Sequence, residues 1–246
     1  MGEHSLPLTG ERTGPGVVHE NYWFTRHVAA YALAASRAQR RTVLDAGCGE
    51  GYGTRMLAAT ASRVTGVDLV PAVITHARAA YPGIDFLQAD LCDLPLPDDG
   101  LDLVVSLQVI EHLPDIPRFV AEVARILRPG GEFVCATPNR LTFTSGSDTP
   151  VNPFHTREFT AAELQETLAA HFTVRTVLGL HHGPRVRAVE RVARATLPEL
   201  VLAAPPEDWP RWLTAVVARV RPRDFRLGPT DLDASLDLVA LAAVPR

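Results

Sequence analysis

The chain predicts an α/β fold, a doubly wound and mostly parallel sheet of seven strands with a helical insertion before the last strand. Three observations carry this. Short apolar runs alternate with helix-period patterns through the first half of the chain. The apolar run Val43-Leu44-Asp45-Ala46 opens into the glycine-rich turn Gly47-Cys48-Gly49-Glu50-Gly51-Tyr52-Gly53. A second apolar run, Val64 to Val67, ends in Asp68, about twenty residues beyond the turn, where such folds place an acid for ribose hydroxyls.

Taken in order, residues 1–40 read as a polar lead-in followed by a helix over 21–37. Strands are expected at 42–46, 63–68, 84–88, 101–106 and 131–136, with helices at 51–61, 71–80 and 115–127 between them. Residues 138–156 are rich in Pro, Asn, Ser, Thr and Gly and read as a long active-site loop. Thr160 with Glu163 three residues on marks a capping box for a helix over 160–170. Strand candidates at 172–180 and 236–244 flank a helical insertion or cap, 181–232, which holds Trp209 and Trp212. A single domain, 1–246, accommodates all of this.

Composition narrows the function classes. Hydrophobic residues make up 46% and charged residues 21%, ordinary for a globular enzyme. The net charge of −4 supplies no general attraction for phosphate backbones, so no nucleic-acid partner is expected. All 24 basic residues are arginine, which excludes Schiff-base and lysine general-base chemistry. No apolar run reaches a membrane span, the first residues lack a basic-then-apolar layout, and the three cysteines show no metal or disulfide spacing; a cytoplasmic location is expected.

The glycine pattern selects among nucleotide cofactors. Asp45 stands ahead of it and Glu50 inside it, and two carboxylates would repel a pyrophosphate but suit a sulfonium and an ammonium group. The turn resembles motif I of the class I S-adenosylmethionine (SAM) methyltransferases, whose fold is Rossmann-like. Gln88-Ala89-Asp90-Leu91, the run Leu101 to Leu107 leading into Gln108-Val109-Ile110-Glu111-His112-Leu113, and Leu127-Arg128-Pro129-Gly130-Gly131 follow in that family's order. The resemblance implies S-adenosyl-L-methionine as cofactor, bound by Asp45, Ala46, Gly47, Cys48, Gly49, Gly51, Asp68, Leu69, Ala89, Asp90, Leu91 and Gln108.

Methyl transfer from a sulfonium is an in-line displacement, so alignment supplies much of the rate. An alcohol acceptor also needs a base. Glu111 and His112 follow the fourth strand at the carboxyl edge, where these sheets place catalysis, and His155 closes the long loop; His112 or His155 is the expected base, with Glu111 orienting it. Tyr22, Trp23, Arg26 and His27 offer an aromatic and basic face that suits a carbohydrate.

A closer resemblance runs along nearly the whole chain. Glu11-Arg12, Glu20 to His27, Thr137-Pro138-Asn139-Arg140, Asn152 to Glu158, His182-Gly183-Pro184-Arg185 and Asp233 to Leu238 are similar to actinobacterial sugar methyltransferases linked to methylglucose lipopolysaccharide. That implies O-methylation of a sugar or oligosaccharide hydroxyl in α-glucan-like polysaccharide biosynthesis, with Asn139, Arg140, His182 and Arg185 added to the acceptor side. Glu111, His112 and His155 also fall where small-RNA 3′-end methyltransferases hold a metal, but Gln108 replaces a glutamate of that set. The reading favours a metal-free base over a divalent ion on those three. Its rivals are a small-molecule or secondary-metabolite O- or N-methyltransferase, a non-catalytic SAM- or glycan-binding module, and an RNA methyltransferase.

Overall fold

A computed structural model describes residues 13–144, 146 and 149–246, so Glu11, Arg12 and most of the lead-in lie outside the described residues. Five strands form the parallel part of the sheet: β1 Thr42–Ala46, β2 Arg63–Asp68, β3 Asp85–Gln88, β4 Leu101–Leu107 and β5 Leu127–Pro138. The sheet continues through β6 Thr173–His182, β7 Phe225–Gly228 and β8 Asp237–Ala243 in the order β3-β2-β1-β4-β5-β8-β6-β7. β8 runs antiparallel to both β5 and β6.

Among the described residues eight strands stand where seven were expected. The extra one is β7, at the end of the insertion, which pairs antiparallel with β6 from Gly179↔Gly228 to His182↔Phe225. Four residues are too few to show a period of their own, and the partner strand supplies the pairing.

Helices cover both faces: α1 Asn21–Arg37, α2 Tyr52–Ala58, α3 Pro71–Ala80, α4 Ile116–Ile126, α5 Arg140–Phe143 and α6 Ala161–Ala169, with α7 Pro184–Ala193, α8 Leu197–Leu202 and α9 Arg211–Val217 in the insertion. α4 shows why they dock. Asp115 caps it by accepting from the Arg118 amide, and Ile116, Phe119, Val120, Val123 and Ile126 form one buried stripe at helical spacing. That stripe meets Leu44, Val104 and Phe133, while Val43, Leu103, Val105 and Val134 point to the other face against Ala30, Tyr31, Ala34 and Leu57. Both halves of the Thr160–Glu163 capping box form on α6.

The insertion has its own apolar cluster, in which Leu197, Val201, Leu213, Val217 and Phe225 pack on Leu180 of β6 and Tyr22 of α1. This pins the start of α1 over the carboxyl edge of the sheet. After β1 the chain winds one way to β2 and β3, then returns to place β4 and β5 on the other side of β1. The crevice at that reversal, outside the ends of β1 and β4, is where such sheets bind ligands.

Candidate active site

The turn after β1 is built around backbone donors. The Gly47 and Cys48 amides both donate to the Val67 carbonyl at 2.8 Å. Gly47 has φ +81°, and a Cβ on it would lie 2.4 Å from the Val109 side chain, so two constraints demand glycine there. Asp68 is locked beside the turn: its Oδ2 accepts from the Gly49 amide at 3.1 Å and its Oδ1 from the Val70 amide at 3.0 Å.

A cavity of about 320 Å³ opens over this turn, lined by Gly47, Cys48, Gly49, Asp68, Leu69, Asp90, Leu91 and Gln108 among the expected residues. Tyr31, Tyr52, Val70 and Val109 also line it and were not anticipated, since an aromatic on a helix reads as core from sequence alone. Four expected residues stand outside the lining. Ala46 is buried in the core, Gly51 is the N-cap of α2 at φ +89°, and the Ala89 amide donates to the Asp68 carbonyl.

Asp45 is the fourth, and its carboxylate supports the turn from below. It is fully buried, with Oδ2 accepting from Thr54 Oγ1 at 2.6 Å and Oδ1 from the Tyr31 hydroxyl at 3.0 Å. Burial pushes its carboxyl up to about 6, although both hydroxyl bonds pull the other way. The folded state thus holds a proton that the unfolded chain gives up at lower pH, and the associated stability is complete below about pH 4 and lost as pH rises through about 6. Asp45→Asn is expected to remove this fall, at most about 3 kcal/mol, from the melting profile of the cofactor-free protein. An unchanged slope between about pH 4 and 6 would assign it to other groups.

A second cavity, about 260 Å³, adjoins the first and shares Thr13, His27, Gln108 and His112 with it. Trp23, Arg26, Glu111, Phe143, Asn152 and His155 complete much of its wall. Gln108 sits at the junction with φ +59°, an uncommon conformation for a residue with a side chain. Its amide donates to the Ala136 carbonyl at 2.8 Å, and its Nε2 donates to Asp237 Oδ1 at 3.1 Å. Asp237 is otherwise saturated by the buried Arg26, whose Nε donates to Oδ2 at 2.6 Å and whose Nη2 meets Oδ1. Arg26 therefore anchors the wall more than it faces an acceptor. Burial lowers His27 to about 4, so this imidazole is neutral beside Tyr52.

The long loop does return to the site. The Thr156 and Arg157 amides both donate to the Glu111 carbonyl, at 2.7 and 3.3 Å, which holds the loop against the 3-10 turn Ile110–His112. The rings of His112 and His155 meet edge to face with centroids 4.9 Å apart. The orienting group differs from the expected one. The Glu111 carboxylate accepts from Thr137 Oγ1 at 3.0 Å, whereas His155 Nδ1 pairs with Glu158 at 2.8 Å and His112 Nδ1 with the Phe154 carbonyl at 3.0 Å. Glu158 is three residues from His155 and carried no signal separating it from an ordinary loop acid. Glu111 is wholly buried; burial pushes its carboxyl up to about 8, and the charges of Asp237 and Glu158 add to this.

Other expected acceptor residues have structural work. Tyr22 is in the core, its hydroxyl 2.8 Å from His182 Nε2, and His182 Nδ1 pairs with Glu190. Asn139 caps α5 and its Nδ2 donates to the carbonyls of Leu232, Asp233 and Ser235. Arg140 pairs with Glu163, and Arg185, largely exposed, with Asp224. His182 lines a separate cavity with His181, Arg187 and Arg226 near the β6–β7 edge.

A glycine turn and an acid over the reversal of strand order, opening to a polar second cavity, define a class: enzymes that present a nucleoside cofactor to an acceptor. Residues 44–135 match the family model described as a methyltransferase domain. The chain is 50% identical over 250 aligned residues to "Probable S-adenosylmethionine-dependent methyltransferase" of Mycolicibacterium smegmatis, covering 98% of this chain and 96% of that protein. A namesake from Mycobacterium tuberculosis H37Rv is 47% identical, over 98% of this chain and 90% of its own length. In fold alone, a SAM-dependent methyltransferase structure from Thermotoga maritima superposes with a TM-score of 0.64 at 16% identity, covering 92% of this chain and 94% of that one. The chain belongs to the S-adenosylmethionine-dependent methyltransferases. No helix among the described residues is long and apolar enough to cross a membrane.

Proposed function

We propose that this methyltransferase transfers the methyl group of SAM to a hydroxyl of a sugar or oligosaccharide, of the kind found in α-glucan-like polysaccharides. One observation carries the reading: His112 and Gln108 line both cavities, so a cofactor in the first and an acceptor in the second meet at a polar junction. Gly47, Gly49, Asp68, Asp90 and Leu91 hold the cofactor. Trp23 and Phe143 offer apolar faces for a sugar ring, and Asn152, His155, Glu111 and Gln108 offer partners for its hydroxyls. A cavity of about 260 Å³ suits one or two rings and is small for a folded RNA. The free, buried thiols of Cys48, Cys92 and Cys135 fit a reducing compartment, and we assign the reaction to the cytoplasm.

The test is a transfer assay with methyl-labelled SAM against short α-glucans, mannosides, small amines and phenols, and total RNA. Label on a glucan or mannoside is the expected result. Label confined to amines, phenols or RNA would transfer the assignment to that class, and an amine acceptor would need no base in the acceptor cavity.

A further inference from the structure

Glu111, His112 and His155 each offer one ligand atom, and these atoms lie within 4.8 Å of one another on the wall of the acceptor cavity. The two sequence segments that supply them are bolted together through the Glu111 carbonyl, which also accepts from Thr156 Oγ1 at 3.0 Å, while that hydroxyl reaches the Leu113 carbonyl at 2.8 Å. The three groups are therefore preorganised.

Both imidazoles have the same tautomer imposed on them. A carbonyl only accepts, so the 3.0 Å contact with Phe154 puts a proton on His112 Nδ1, and in the neutral ring the lone pair then belongs to Nε2. A carboxylate also only accepts, so Glu158 at 2.8 Å does the same to His155. A histidine whose second nitrogen donates to a carboxylate or a backbone carbonyl has the arrangement that orients metal-binding imidazoles. A general base accounts for one such ring; it leaves the second unexplained.

The carboxylate supplies an independent observation. Glu111 is fully buried, its Oε2 takes the Thr137 hydroxyl, and its Oε1 has no hydrogen-bond donor among the described residues. A buried carboxyl oxygen with no hydrogen-bond partner is costly, and a cation that takes the place of its proton offsets that cost. Asn152 Nδ2 lies 3.1 Å from His155 Nε2, an amide contact that an ion would displace.

We propose that Glu111, His112 and His155 form a binding site for one divalent transition-metal ion, with Glu158 and the Phe154 carbonyl as positioning groups behind the two imidazoles. Two nitrogens and one oxygen suit ions of the manganese-to-zinc series better than magnesium or calcium, which prefer all-oxygen shells. An ion there acidifies a coordinated hydroxyl; that consequence rests on the reading that an acceptor oxygen enters this cavity.

The experiment needs no acceptor, so it stands or falls apart from the sugar assignment. Full-length protein stripped with chelator is titrated with Mn²⁺, read by electron paramagnetic resonance, and with Co²⁺, read by visible absorption. One ion per chain is expected. His112→Ala, His155→Ala and Glu111→Gln should each abolish or severely weaken uptake, and Glu158→Gln should weaken it about 10- to 100-fold. The surface variant His171→Ala should bind as the parent does. SAM binding by each variant confirms folding. Absence of stoichiometric uptake by the parent chain, or uptake untouched in folded His112→Ala and His155→Ala proteins, overturns the proposal.

Discussion

Replacing His112 by alanine is expected to lower kcat about 100- to 10,000-fold, the range associated with loss of a group that activates a nucleophile. SAM affinity should stay close to the parent value. His112 touches the cofactor cavity at its edge, while the turn after β1 and Asp68, which form the body of that cavity, are held by bonds independent of it. His155→Ala should show a loss in the same range with an even smaller effect on SAM, since His155 lines only the acceptor cavity. The measurement is steady-state turnover beside calorimetric SAM binding. Parent-like turnover in both variants would show that the acceptor is activated elsewhere, or is an amine that needs no activation.

Arg26→Met is expected to destabilise the fold by about 3–5 kcal/mol, because it leaves the Asp237 carboxylate buried without its counter-ion. Arg26 and Asp237 are 3% and 1% exposed, so neither can turn to water. The guanidinium also donates to the Leu236 carbonyl at 2.7 Å and packs over the Trp23 ring at 5.4 Å, and both contacts would be lost. Asp237→Leu alone should cost a similar amount by stranding the arginine. Combining the two should cost much less than the sum, since removing both charges removes the desolvation penalty. Denaturant unfolding of the cycle reads this directly. Additive losses would mean that the two residues act through separate contacts. Because Asp237 also holds the Gln108 amide, the double variant should recover stability without recovering turnover.

Much of the architecture was legible because its signals are local. The alternation of short apolar runs with helical stripes, the Thr160–Glu163 box and the glycine turn each depend on residues a few positions apart, and each forms as expected. The cavity at the carboxyl edge is legible for a related reason, since Gly47, Gly49, Asp68 and Asp90, which line it, come from strand ends that a parallel sheet must place side by side. Asp45 shows the limit of such reasoning. Position 45 lies at the mouth of the turn in sequence, but β-strand alternation turns its side chain beneath the turn toward Thr54 and Tyr31.

The acceptor side was less legible for the same physical reason. Tyr22, Trp23, Arg26 and His27 are consecutive turns of one helix, and the sequence does not say which faces the insertion and which faces the cavity. Docking of the insertion's apolar cluster on Tyr22, and of Asp237 on Arg26, makes that choice across more than 200 residues of chain for the latter pair. Likewise the sequence offered His112 and His155 as candidate bases, whereas the contact of their rings and the orientation of His155 by Glu158 come from the folded chain.

By itself, then, the amino-acid sequence determined the parallel part of the sheet, the glycine turn after β1 and the residue types available for chemistry, because these follow from periodicity, backbone freedom at glycine and the absence of lysine. Only the tertiary structure decided which carboxylate orients which imidazole, which aromatic lines a cavity and which is core, and that β7 closes the edge of the sheet. Those outcomes depend on burial and hydrogen-bond partners distant in the chain, and a carboxylate's or an imidazole's role is set by what desolvates it and what it bonds, not by its neighbours in sequence.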